Sequence, residues 1–467
     1  MDYYRTIVSA TITCIAYQGF GFGAFVSLIP LFSIKKNIAK YFWLWGLTFM
    51  GILHAFFVEL HTVSSIPLAI TLWLIPTLYY STFYFILGLA IQASKKRFNH
   101  LLLIPILFFI FEALKSIGPF GNTLGNIGYS LAPYAKIIPS FSLIGTSGIG
   151  VIIILVNVIL LKIIHKDNTK QRLFQLAVLL CLLFFGSGNH IKDTKSLITT
   201  VVHTHIPQLE KINKNNWQKL EKHYLSLISN SPSSLIILNE TIIPTLIEGT
   251  SFFKELNQIT TTSEKAILFG THIKKQTNYY NGSILLEGNR TQYYFKERLM
   301  PFGEYLPFRK MLGPLIPKEL NFQDFNSGNQ NSLSTYKGIN IGQRICLEGI
   351  YSYINFQSYP DIIIIMANNA WFNDSSANQK LIQFAQAHSA EIGRPTLISS
   401  NYGYSAMIDN KGSIQRKSKK NTANLMTEVI KVPSNQTVYS RFPFGFISIL
   451  IILFIVQELI FNRKIKL

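Results

Sequence analysis

The chain has 467 residues, with 43 Lys and Arg against 23 Asp and Glu and a formal net charge of +20. It is 48% apolar and only 14% charged, where a soluble domain carries roughly 25% charged residues. That composition excludes intrinsic disorder and argues against an ordinary soluble enzyme. No stretch combines dense basic residues with interleaved aromatics, so nothing points to nucleic acid as a partner.

In chain order, the opening stretch Ile7 to Phe32 is apolar and interrupted by Gly19, Gly21 and Gly23. It reads as one long span or as a tight hairpin. Tyr41 to Glu59, Pro67 to Ala90 and Leu143 to Ile164 have the ~20 residues needed to cross a bilayer. Leu101 to Leu114 and Leu173 to Gly188 are shorter spans, and Phe442 to Phe461 is a final one. Basic residues collect at Lys35, Lys36 and Lys40, at Lys95, Lys96 and Arg97, at Lys166, Lys170 and Arg172, and at Arg463, Lys464 and Lys466. Basic loops stay on the cytoplasmic side. Placing all four clusters there needs an even number of crossings before Lys35, which selects the hairpin. The count is then about eight spans with both termini cytoplasmic. The apolar run after Arg5 leads into further spans rather than a soluble domain, so it reads as an uncleaved first span.

The predicted organisation is a polytopic α-helical membrane domain over 1–190 with about seven spans, an outer domain over 191–441, and a last helix with a basic tail over 442–467. Outside the segment Lys192 to Arg441 the chain has 16 basic and 5 acidic residues, an excess of eleven. More than half of the net charge therefore belongs to topology.

From Leu197 the pattern changes to short strands alternating with amphipathic helices, as in an α/β sheet covered by helices. Strands are predicted at Leu197 to His203, Ser234 to Leu238, Ala266 to Thr271, Ser283 to Leu286, Gln292 to Lys296, Ile339 to Cys346, Asp361 to Ala367 and Ser405 to Ile408. Helices fit Asn215 to Ser229, Glu348 to Gln357 and Gln379 to Ile392. Ile362 to Ile365 is apolar on both faces, as a central buried strand is. Gly313 to Leu333 reads as a long loop and a mobile lid, and Arg416 to Lys420 as a solvated hairpin tip.

Three cysteines are too few for a disulfide framework. Cys14 and Cys181 lie in apolar runs, while Cys346 ends a strand on the turn into a predicted helix, where a helix dipole lowers a thiol's pKa. Glu240 follows the apolar run Leu235 to Leu238 and is placed to act as a general base. Lys296 ends an aromatic strand and is placed to stabilise an oxyanion. Each has a plainer reading alone: a buried thiol, a neighbour of a helix cap before Pro244, a solvated lysine. His54 and His388 read as packing residues. No Cys/His spacing suggests zinc and no glycine-rich loop suggests phosphate binding, so neither metal nor cofactor is expected.

Taken together, Glu240, Lys296 and Cys346, each at a strand end and in that order, resemble the Glu-Lys-Cys triad of the nitrilase superfamily. Val202-His203-Thr204-His205-Ile206-Pro207-Gln208, Pro301-Phe302-Gly303-Glu304-Tyr305, Asn368-Asn369-Ala370-Trp371-Phe372, Glu391-Ile392-Gly393-Arg394-Pro395 and Ser400-Asn401-Tyr402-Gly403 resemble its membrane branch, the apolipoprotein N-acyltransferase family. The resemblance implies an α-β-β-α nitrilase-like domain inserted before the last span. It also implies a bacterial inner-membrane location with that domain periplasmic, and a monomer. Glu240 would be the general base, Lys296 the oxyanion-stabilising lysine and Cys346 the nucleophile, with Glu304 and Glu348 supporting and Trp217 near substrate. A membrane phospholipid would donate an acyl chain, through a thioester, to the α-amine of a diacylglyceryl apolipoprotein. The family usually has Cys-Tyr-Glu where this chain has Cys346-Leu347-Glu348, and Trp-Pro-Glu where it has Leu238-Asn239-Glu240. A membrane-tethered amidase using the same triad, and a non-enzymatic transporter with a degenerate outer domain, are the alternatives.

Overall fold

The computed structural model describes residues 1–94, 100–186, 193–315, 323–329, 333–351, 359–373, 375–420 and 422–465. The basic cluster Lys95-Lys96-Arg97, Lys466, and most of the helix expected over Glu348 to Gln357 lie outside the described residues. The chain divides into a helical unit, Met1–His190 with Gln386–Gly393 and Gln436–Leu467, and an α/β unit, Ile191–Ala385 with Arg394–Asn435.

Among the described residues of the helical unit, three helices are long and apolar enough to cross a membrane: Ile38–Thr62, Ile66–Ser94 and Phe141–Ile164. The helix Asp2–Tyr17 stops before the glycines, and two short helical pieces, Ala24–Ser27 and Ile29–Phe32, follow. These pieces turn back on the first helix, since Ser9 Oγ donates to the Ser27 carbonyl at 2.6 Å. His100–Lys115 and Thr169–Phe184 have 16 residues each. Ile38–Leu53 and Ile66–Ser94 pack backbone to backbone at Gly88, where a Cβ would lie 2.7 Å from Ala39 Cα. Such close approach is how helices pack where solvent supplies no hydrophobic drive. Asn157, fully buried, accepts from Leu28 N at 2.8 Å and donates to Ala24 O at 2.8 Å.

The α/β unit contains two six-stranded sheets. The first has the order β12-β1-β2-β3-β4-β5, from Asn424–Pro433, Asp193–His203, Leu235–Ile237, Ala266–Lys275, Asn278–Glu287 and Arg290–Phe295. The second has the order β11-β10-β9-β8-β7-β6, from Ile414–Lys417, Ala406–Ile408, Thr396–Ser400, Ile362–Ala367, Ile339–Ile345 and Ser334–Tyr336. Parallel pairs β1–β2–β3 and β7–β8–β9 form the middle of each sheet. Val201, Ile237, Leu268 and Leu285 of the first sheet pack with Ile341, Ile364, Met366 and Leu397 of the second. Helices Trp217–Ser229 and Ser251–Thr262 cover the outer face of the first sheet, burying Tyr224, Ile228, Phe252 and Leu256 against Ile236, Ile267 and Phe269. β8 is buried along its whole length, as its two-sided apolar run predicts.

All eight predicted strands form, several with longer ends. Four others, β6, β9, β11 and β12, and the helix Ser251–Thr262 were not legible. β9 is Thr396-Leu397-Ile398-Ser399-Ser400, whose serines face inward and bond backbone carbonyls of Val202 and Tyr402, so the apolar pattern is broken. Arg416 and Lys417 lie in β11, paired with β10, and the hairpin tip is the turn at Asp409–Ser413. The predicted tip is therefore displaced by several residues. The sequence from Cys346 forms a short 3-10 turn, Cys346–Ile350, where a helix was expected. The described part of the expected lid, 323–329, is anchored: Asp324 accepts from Leu306 N, Phe325 N donates to Glu304 O, Asn326 N to Tyr279 O, and Gly328 N to Lys296 O.

Candidate active site

Glu240 lies three residues beyond β2, but the chain there still pairs with β3: Leu238 N donates to Leu268 O, Gly270 N to Asn239 O and Ile242 N to Gly270 O. Position 270 must be glycine for this, because a Cβ would sit 2.6 Å from Glu240 Cα. The next residue, Thr241, has φ +48°, a left-handed conformation that turns the chain just after Glu240. The Glu240 carboxylate is buried and fully engaged: Oε1 accepts from Asn281 Nδ2 at 2.9 Å and lies 3.7 Å from Lys296 Nζ, and Oε2 accepts from Asn368 N at 2.9 Å.

Lys296 follows β5 and is held through its backbone, N–H to Asn281 O at 2.9 Å and carbonyl from Gly328 N at 2.8 Å. Its Nζ donates to Glu304 Oε1 at 2.8 Å. Glu304 comes from the turn that contains Phe302, φ +63°. Besides Lys296, it accepts from Asn281 Nδ2 at 2.6 Å and Met300 N at 2.7 Å. Asn281 thus bridges the two carboxylates while its carbonyl fixes the lysine. It is the residue that sequence reasoning missed, and a weak signal existed: asparagine is depleted in strands, yet it stands inside β4.

Cys346 directly follows β7 and opens the turn after it, with φ +51°. A non-glycine residue held there stores about 1–3 kcal/mol of strain, as at other sites where a turn must present one side chain. Burial pushes the thiol well above its ordinary range, the Glu240 carboxylate adds to the rise, and the Lys296 ammonium opposes it. The thiol is therefore raised, chiefly by burial, where a lowering was expected. Burial also raises the Glu240 carboxyl, against Lys296, while Glu304 adds to the rise. Burial would lower Lys296, but Glu304, Glu240 and the Cys346 thiolate together hold it above its ordinary value. Burial and the neighbouring charges thus favour the neutral thiol at Cys346 and the charged ammonium at Lys296.

Glu348 does not face this cluster with a free oxygen. Its Oε1 accepts from the N–H groups of Glu297 and Arg298 at 2.7 and 3.0 Å, and its Oε2 from Tyr294 Oη at 2.9 Å and Ile345 N at 2.8 Å. One carboxylate thereby ties the chain just past Lys296 to the chain just before Cys346, across the two sheets. Trp217 is placed otherwise: its Nε1 donates to Lys211 O at 3.1 Å and its ring packs on the outer face of the first sheet.

The departure at Leu238-Asn239 has a structural counterpart. Asn239 Nδ2 donates to Glu240 O at 3.1 Å, and Asn239 Oδ1 accepts from Tyr224 Oη at 3.0 Å and Thr204 Oγ1 at 3.4 Å. Thr204 also donates to Asn401 Oδ1 at 2.7 Å, and Asn401 Nδ2 to Asn368 Oδ1 at 2.9 Å. An amide network therefore holds the peptide after Glu240. At the other departure, Leu347 brings no hydroxyl beside the nucleophile. Among the described residues no group of His, Cys, Asp and Glu could hold a metal ion.

Comparison with known proteins fits this geometry. A carbon-nitrogen hydrolase family model matches residues 206–438, and an apolipoprotein N-acyltransferase N-terminal domain model matches residues 9–159. The α/β unit is a carbon-nitrogen hydrolase domain. Its relatives include proteins named apolipoprotein N-acyltransferase from Pasteurella multocida (strain Pm70), 26% identical with 94% of this chain and 91% of that one covered, and from Wigglesworthia glossinidia brevipalpis, 26% identical with 99% of both covered. A third, from Aquifex aeolicus (strain VF5), is 26% identical over 66% of this chain and 71% of its own. With both domain models matched in one chain, the protein belongs to the apolipoprotein N-acyltransferase family.

Proposed function

We propose that the protein transfers an acyl chain from a membrane phospholipid, through a Cys346 thioester, to the α-amine of a lipoprotein's N-terminal diacylglyceryl-cysteine. The observation that carries this reading is the convergence of Glu240, Lys296 and Cys346 in a chain that also holds bilayer-length apolar helices.

The arrangement of these residues supports the following steps. Glu240 takes the Cys346 proton as Sγ attacks an ester carbonyl of the phospholipid. Lys296 stabilises the oxyanion. The ester C–O bond breaks, the protonated Glu240 gives its proton to the leaving alkoxide, and a lysophospholipid departs from the thioester. The acceptor amine then attacks the thioester carbonyl, its proton passes to Glu240, and the Cys346 thiolate leaves and is reprotonated. A thiol raised by burial needs this base, because little of it is ionised beforehand. The supporting topology is about eight spans in the bacterial inner membrane, with the residues around 191–441 on the periplasmic side, where lipid-tailed substrates arrive laterally. A monomer suffices, since all the named groups come from one chain.

The test is mass spectrometry of a lipoprotein's N-terminus from cells with the protein, without it, and with Cys346→Ala. The N-acyl group is expected only with the unaltered protein. Full N-acylation by Cys346→Ala would overturn the proposal, and release of free fatty acid or ammonia from a small amide would favour the amidase alternative.

A further inference from the structure

Lys211 is a charged residue that the mechanism leaves without a task. It lies in the short helix Gln208–Ile212 and is 1% exposed. Among the described residues its ammonium makes one hydrogen bond, to the backbone carbonyl of Glu240 at 3.1 Å. A buried ammonium with one acceptor is costly, and an apolar side chain of similar size would often serve stability as well.

We infer that Lys211 is a positioning residue for the base: its charge, applied from the backbone side, keeps Glu240 ionised while leaving the carboxylate free to receive the thiol proton. This rests on Glu240 acting as the general base. Both carboxylate oxygens already have their donors, Asn281 Nδ2 on one, with the Lys296 ammonium 3.7 Å away, and Asn368 N on the other. A second ammonium paired directly with them would compete for the lone pairs that the proton needs. Behind the peptide, Lys211 contributes its field without occupying a lone pair, and it fixes the same carbonyl that Asn239 holds.

Lys296 supplies the larger part of that field, and Lys211 adds to it in the same direction. Glu304 raises the Glu240 carboxyl, and Lys296 is bound to Glu304 at 2.8 Å. His272, on β3, is pulled down to about 4 chiefly by burial, and so is neutral at physiological pH. Glu210, on the same short helix, pairs outward with Lys219 at 3.0 Å. Lys296 and Lys211 together balance Glu240 and Glu304, so removing Lys211 leaves the cluster one negative charge in excess. Burial brings the Lys211 ammonium down to about 7, with Glu240 opposing the fall. It is charged below that pH, which is where a carboxyl raised by burial needs help to stay ionised.

The sign of the effect follows. Loss of a positive charge raises the Glu240 carboxyl, and an opposite charge nearby is worth about one to three pH units. In the full-length protein in detergent micelles, the single-turnover rate of Cys346 acylation by a fluorescent-acyl phospholipid is measured against pH. With Lys211→Met the acid limb is expected to move up by about one unit or more, a loss of about tenfold or more at a fixed pH below the limb, recovering at high pH. Lys211→Arg, which retains the charge, keeps the limb in place. Superimposable limbs for the unaltered protein and Lys211→Met, whatever the change in Tm, would overturn the inference. Glu240→Gln is run beside them: wild-type acylation by that variant removes the base assignment itself, whereas an inactive Glu240→Gln with an unmoved Lys211→Met limb removes only the role of Lys211.

Discussion

The two units bury charge in different ways. In the helical unit, Glu112 and Lys115 are buried one turn apart, and each is satisfied by nearby backbone: Glu112 Oε1 accepts from Ile127 N at 2.8 Å, and Lys115 Nζ donates to Leu124 O at 2.7 Å. These charges staple the loop that follows their own helix. In the α/β unit, Glu240, the Lys296–Glu304 pair and Cys346 come from three separate chain segments, and Asn281 from a fourth bridges the two carboxylates. The first arrangement closes local hydrogen bonds. The second leaves charges mutually balanced and aimed at a reactive atom, which a fold retains at a cost in stability. Burial of ionised groups alone thus does not mark a site; convergence from distant segments on a nucleophile does.

That contrast is broken or sharpened by substituting each kind of charge. The largest effect is expected for Glu240→Gln, which keeps the hydrogen-bonding shape but cannot take a proton. Acylation of Cys346 should fall by roughly 10²–10⁴-fold, the contribution typical of a general base, with Tm little changed or raised. Single-turnover kinetics and thermal unfolding of the same preparation check both halves. A loss of stability with normal acylation would show that this carboxylate, like Glu112, is a staple.

The smaller effect belongs to the helical unit. Lys115→Met leaves the Leu124 carbonyl without its donor, worth about 1–3 kcal/mol when buried, and deprives Glu112 of its neighbouring cation. A lower unfolding temperature is expected with unchanged single-turnover acylation in the folded fraction. A changed acylation rate at unchanged stability would mean that the two arrangements do not divide as described.

The sequence carried much of this arrangement, unevenly. Glu240, Lys296 and Cys346 were legible because each closes an apolar or aromatic run, and a polar residue at that position is conspicuous. Glu304 and Glu348 came only with the family resemblance, since each lies in a turn, Glu348 is held mostly by backbone N–H groups, and the side chains that hold Glu304 meet it only in the fold. Asn281 left only a weak signal and Lys211 none, for a related reason: an asparagine in a strand and a lysine in an amphipathic turn both have ordinary surface readings, and burial is what distinguishes them. The thiol's expected lowering failed because the sequence does not show how deeply Cys346 is enclosed, and burial is the largest influence on it. Edge strand β11 was missed because three of its four residues are exposed and polar, which removes the apolar signal.

The central claim is that Cys346 carries the acyl group. The direct measurement is mass spectrometry of the Cys346-containing peptide after the full-length protein is mixed with a phospholipid of defined acyl chain, before and after addition of a diacylglyceryl-cysteine peptide. The account predicts a thioester-linked acyl mass on that peptide, discharged by the acceptor amine and absent in Cys346→Ala. N-acylated acceptor appearing at full rate with no acyl group ever on Cys346 would contradict it.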